Sequence, residues 1–162
     1  MSVFVVDASV VVKWFVPEIH SDAARRLLAL PHEYVAPELL FGETANTIWN
    51  KIRRKELTAE EGKQLVADIG RIAVETVSCR ALAEDAHALA NATGRTVYDS
   101  MYVALAVRLN TRSITADGRL EAALRNVPAV AGHIQLVQTF ERDVQEREDS
   151  ARSPNRRGKT ES

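Results

Sequence analysis

Four apolar residues in a row, Val3 to Val6, leave no face for water, so a strand built from them must be covered on both sides. Residues 98–109, YDSMYVALAVRL, are apolar almost all round, as a helix is when it lies inside a domain. A strand covered twice and an enclosed helix point to a sheet lying between helices. Further strands are expected at Glu33–Ala36, Val74–Val77, Ser113–Thr115 and Ile134–Val137. A helical stretch follows the first strand, and a second helix is expected behind Ser21 as its cap, with Leu27, Leu28 and Leu30 to bury. A long helix starts with Pro37 in its first turn and runs to about Arg54. Thr58 and Glu61 form a capping box ahead of a stripe of Leu65, Ile69 and Ile72. Leu82, Ala86 and Leu89 mark a helix ending near Gly94, and Leu120, Ala123 and Leu124 a short one. Strands separated by helices make a parallel sheet, hence an α/β domain spanning 1–140. Residues 141–162 read as a charged, disordered tail, because no large apolar residue follows Val144.

At 162 residues and 46% hydrophobic, the chain can bury one core without a metal or disulfide to hold it, so any bound metal would serve function. Its single cysteine, Cys79, fits a reducing compartment. No stretch approaches 18 uninterrupted apolar residues and no secretory leader is visible, so a cytoplasmic protein without a membrane anchor is expected. A formal net charge of -1 excludes a strongly basic nucleic-acid binder. A nucleic-acid ligand would need a local patch or a metal.

Sites in open parallel sheets lie beyond the carboxyl ends of the strands, and acids occupy those ends here. Asp7 interrupts the apolar run VFVVDASVVV, Asp117 follows the Ile114-Thr115 strand, and Asp99 opens the enclosed helix. Each has a purely structural alternative. Asp117 is placed to cap the short helix after it, and Asp99 to complete a capping box with Thr96. Glu43 shares a helix face with Asn46 and Asn50, either solvent or the wall of a cleft. Lys13 and Arg119 flank the acidic turns as candidate phosphate contacts. His20, His32, His87 and His133 lack ligand spacing, and Trp14 and Phe15 continue an apolar run as packing residues.

The segments VVDASVVVKWFVPE, PELLFGETANTIWN, YDSMYVALAVRL and ITADGRL, in this order and spacing, resemble the PIN domain, specifically VapC-type toxins of bacterial toxin–antitoxin pairs. The resemblance implies a PIN-like three-layer domain, a short parallel β-sheet flanked by helices. It matches Asp7, Glu43, Asp99 and Asp117 to the family's four catalytic acids, which hold Mg²⁺ or Mn²⁺ and hydrolyse single-stranded or looped RNA. Ser9 and Thr115 match positions that support that site, and either is equally a backbone-bonding turn residue. A cognate VapB-type antitoxin and a homodimer are the partners so implied. Two alternatives remain within the fold: a module that binds RNA or protein without cutting, and a housekeeping RNA-processing nuclease. A phosphate-accepting receiver domain is disfavoured, since no lysine lies between Lys63 and Lys159 to serve it.

Overall fold

The computed structural model describes residues 1–152. Strand β1 (Val3–Val6) leads into helices α1 (Ala8–Phe15) and α2 (Ser21–Leu27), then β2 (Glu33–Pro37), α3 (Leu39–Arg53) and α4 (Ala59–Ile69). After these come β3 (Glu75–Val77), α5 (Cys79–Thr93), α6 (Val97–Arg108), β4 (Ser113–Thr115), α7 (Gly118–Leu124), β5 (Ile134–Leu136) and α8 (Phe140–Arg152). The five strands are all parallel, in the order β3-β2-β1-β4-β5. Helix α1 packs on α2, α3 and α4, while α5 packs on α6. Right-handed crossovers place these two groups on opposite faces of the sheet, giving three layers.

Burial explains the two features from which the fold was inferred. Val5 and Val6 are 0% exposed. Seven consecutive residues of α6, Ser100 to Ala106, are buried, because this helix crosses β1, β2 and β4. The Thr58–Glu61 capping box forms in both directions, and α5 ends at Gly94, whose φ of 70° suits a residue without a Cβ.

Four expectations need correction. Ser21 does not cap α2: His20 does, with φ 64°, while the buried Ser21 hydroxyl donates to the Val16 carbonyl at 2.9 Å and accepts from the Glu18 N–H. Only Leu27 of the three leucines is fully enclosed, and Leu28 is exposed. Pro37 is the last residue of β2, not the first turn of α3. Lastly, the chain continues as helix α8 to Arg152 where an unstructured string was expected, and the 141–162 segment lies outside the described residues from 153 onward. Phe140 anchors that helix. It is fully buried, its ring meets Phe4 edge-on at 5.0 Å, and the Arg112 guanidinium lies over both rings.

Helices α3 and α4 approach closely at Gly62, where an added Cβ would lie 2.3 Å from Ile52 Cδ1 and 3.2 Å from Ile48 Cγ2. Gly42, on α3, has open space around the same position. Gly62→Ala should therefore cost about 1–3 kcal/mol through overpacking. Gly42→Ala should gain up to about 1 kcal/mol of helix propensity. Thermal melts of the two variants should move in opposite directions, and a rise for Gly62→Ala would contradict the close approach.

Candidate active site

Crossovers leave β1 in one direction toward β2 and return past it to β4, so the sheet's switch point lies between β1 and β4. The ladder pairs Val5 with Ser113 and Val6 with Ile114, and the Asp7 N–H donates to the Ile114 carbonyl at 3.2 Å. Asp7 is thereby fixed at the end of β1 next to Thr115. There it opens onto a cleft of about 350 Å³ that is also lined by Glu43, Asp99 and Asp117. One helix, one helix entrance and two strand ends supply the four acids.

The structural and chemical readings of these acids are compatible, because a carboxylate has two oxygens. At Asp7, Oδ1 accepts from the Ser9 hydroxyl at 2.5 Å and from the Val10 N–H at 3.2 Å, capping α1. At Asp117, Oδ1 accepts both the Arg119 and Leu120 N–H groups, capping α7. In each case the cap uses one oxygen and leaves the second outside it. Glu43 follows the same division, its Oε1 accepting from the Tyr102 hydroxyl at 2.8 Å. At Asp99 only the threonine half of the expected box is seen, Thr96 Oγ1 accepting from the Asp99 N–H at 3.1 Å.

Ser9 and Thr115 brace this arrangement. Ser9 Oγ also accepts from the Ala116 N–H and lies 3.5 Å from Thr115 Oγ1, which in turn accepts from the Asp117 N–H at 3.0 Å. The two acids at the strand ends are thus joined through two hydroxyls. Lys13 lines the cleft, whereas the exposed Arg119 does not and contributes its backbone N–H alone. Trp14 is buried, its indole N–H donating to the Ala24 carbonyl at 2.8 Å, so it is a packing residue.

Sequence reasoning missed Tyr102, Glu18 and Lys51, all of which line the cleft. Two had a usable signal. Tyr102 stands three residues after Asp99, and Glu43, Thr47 and Lys51 recur at a spacing of four, which sets them on one face of α3. Asn46 and Asn50, the expected face-mates of Glu43, are not in the cleft wall.

The electrostatics follow from burial of like charges. Burial pushes Asp7 up to about 6, against the opposing hydrogen bonds from Ser9, Thr115 and Val10, and the Glu43 charge adds to the rise. Burial likewise raises Glu43, helped by Asp99 and opposed by Tyr102. Asp99 is raised by burial and by Asp117, with Thr96 and Arg95 acting the other way. A set of carboxylates held at such cost suits a hard divalent cation with oxygen ligands. The donors present fit one, being carboxylates with no cysteine or histidine among them. Among the described residues no three acidic, histidine or cysteine side chains converge closely enough to hold a metal ion by themselves.

The sequence matches the PIN domain family over residues 4–125. Ribonuclease VapC3 of Pyrobaculum aerophilum is 35% identical over 118 residues, covering 72% of this chain and 90% of that protein. In structure the chain is similar to PAE2754 of the same organism, with a TM-score of 0.62 at 19% identity, covering 88% of this chain and 89% of that one. It is also similar to VapC20 of Mycobacterium tuberculosis, a sarcin-ricin loop cleaving toxin, with a TM-score of 0.56 at 20% identity over 74% of this chain and 94% of that one. VapBC2 of Rickettsia felis, solved on a promoter DNA fragment, gives a TM-score of 0.54 at 13% identity over 83% and 98%. These three likenesses speak to the fold.

Raised carboxylate pKa values set a sign for stability. Asp7 ordinarily titrates at 3.8 and in the fold at about 6, so its protonated form is favoured by folding. Its contribution is full below pH 3.8 and is lost as pH rises through 6, at a cost of about 3 kcal/mol at neutral pH. Asp7→Asn keeps an oxygen for the Val10 N–H and removes that cost. In EDTA it should raise the melting temperature at pH 7.5 by several degrees and leave it little changed near pH 4. An equal gain at both pH values would show that charge burial is not the cause.

Proposed function

The chain belongs to the PIN domain family and is a VapC-type ribonuclease, and on that premise we propose that its acidic cleft is the catalytic site. In this reading the protein is the toxin of a toxin–antitoxin pair, hydrolysing phosphodiester bonds in single-stranded or looped RNA with Mg²⁺ or Mn²⁺. The observation that carries it is that Asp7, Glu43, Asp99 and Asp117, from four separate elements, line one cleft at the switch point of the sheet.

Asp7, Glu43, Asp99 and Asp117 would hold the cation. When bound, such an ion supplies activation of water and stabilisation of charge on phosphoryl oxygens during in-line displacement. The chain's own contribution is placement. Ser9 and Val10 hold the Asp7 carboxylate, Tyr102 holds Glu43, and the first turn of α7 holds Asp117, so these three carboxylates are in place before substrate arrives. Burial of Asp7 and Glu43 keeps bulk water from screening them. Thr115 and Ser9 act through the acids as positioning residues.

Family membership supports a VapB-type antitoxin as partner and a homodimer as the form of the free toxin. Among the described residues no helix is long and apolar enough to cross a membrane. A binding module that does not cut is the competing reading, and Asp99 separates the two. Asp99→Asn retains the N–H that Thr96 caps, so the protein should stay folded. Loss of one anionic ligand should lower cleavage of total RNA at least about a hundredfold, at roughly 1.4 kcal/mol per decade. RNA binding should persist. Wild-type cleavage by Asp99→Asn in Mg²⁺ or Mn²⁺ would assign any toxicity to binding.

A further inference from the structure

The cleft has a second end. Lys13 and Lys51 are both 8% exposed, although lysine is a residue type seldom buried. One carboxylate joins them: Glu18 Oε1 lies 3.3 Å from the Lys13 ammonium and Oε2 lies 3.0 Å from that of Lys51. Lys51 also reaches Glu56 at 3.3 Å, and Glu56 pairs with Arg54 at 3.2 Å. Three bases against two acids leave this network one positive charge. Lys13, Glu18, Lys51 and Arg54 line the same cleft as the four carboxylates, so its lining is divided between an acidic cluster and a group with excess positive charge.

The network is not accounted for by stability. A buried ion pair seldom repays its desolvation, and apolar residues could tie α1 to α3 at lower cost. An ammonium has three N–H donors, and among the described residues Lys13 has a single acceptor, Glu18. The remaining donors border an open cleft beside a nuclease site, where the available anion is a phosphodiester. We propose that Lys13 and Lys51, held in register by Glu18, bind the RNA phosphate adjacent to the one at the acidic end. Glu18 is the positioning residue. The inference rests on the nuclease reading for its ligand, and it divides the strand between two ends of one cleft: one phosphate faces carboxylates and their cation, and the next faces lysines.

The test is the salt dependence of binding, since each phosphate contact on a single strand contributes about 0.7 to the slope of log affinity against log salt. The probe is a fluorescein-labelled, mixed-sequence 12-nucleotide RNA in Ca²⁺, titrated from low to moderate salt. Lys13→Gln and Lys51→Gln should each weaken binding severalfold and lower the slope by about 0.7. Lys13→Arg, Lys51→Arg and Glu18→Gln keep both charges and should keep the slope. A purely structural staple would lower melting temperatures and leave every slope in place, which overturns the proposal. Where a Gln variant does not fold, wild type is titrated against RNAs carrying a single uncharged methylphosphonate. A linkage whose neutralisation lowers the slope, with a penalty altered in Lys13→Arg, supports the subsite, and a uniform response along the strand overturns it. Cleavage of total RNA by wild type in Mn²⁺ is scored separately. Lowered slopes without cleavage retain the phosphate subsite and remove the nuclease reading, and cleavage with unmoved slopes does the reverse.

Discussion

Everything about the cleft depends on the hydrogen-bonded end of β1, where the Asp7 N–H meets the Ile114 carbonyl. That bond closes the pairing of β1 with β4, the two strands from which the connections diverge. Divergence opens a gap between α1 and α7, and a carboxylate at the strand end faces into it. Asp7 is buried there because the flanking valines pull it inward, not because its charge is neutralised. The resulting penalty is tolerable only while Ser9, Thr115 and the α1 terminus offer donors. The fold therefore stores an electrostatic cost at one point, which a divalent cation can relieve.

A cleft divided by sign has a further physical merit. Four carboxylates alone would repel a polyanion, and lysines mixed among them would pair with the acids and displace the cation. Here the lysines are occupied by Glu18 and Glu56, which keeps them apart from Asp7 and Glu43. Tyr102, which also lines the cleft, donates a hydrogen bond to Glu43, and burial raises its own pKa well above the usual tyrosine value, so it remains a neutral donor.

The strands, the enclosed helix α6, the Thr58 box and the Gly94 stop were all legible in sequence, since each is a local pattern of burial or capping. Asp7 was legible for the same reason: an acid inside VFVVDASVVV needs an explanation. Glu43 was legible only through the family resemblance, because a helix face says which residues go together and not what lies opposite; the buried residues of α3 are Leu40, Thr44, Ile48 and Lys51. Glu18 was hidden more deeply. Its significance comes from Lys13 and Lys51 meeting across α1 and α3, a tertiary fact with no periodicity to announce it. Ser21 misled because its hydroxyl turns back to Val16 rather than forward into α2. Helix α8 was overlooked because its composition is polar; it is held at its start by Phe140, set between Phe4, His32 and Arg112, by the Arg26–Glu141 ion pair, and by Asp143, which accepts from Gln135 and Thr139.

Both margins of the sheet are three residues long, β3 at one side and β5 at the other. So short a margin offers only a few outward backbone groups, and on β3 the exposed Glu75 adds a charge to them. Extension of the sheet by a strand from another chain is thus poorly templated. Edge-to-edge aggregation is thereby disfavoured, and any association with another chain is left to the helical surfaces, whose side chains can be specific where a strand edge cannot.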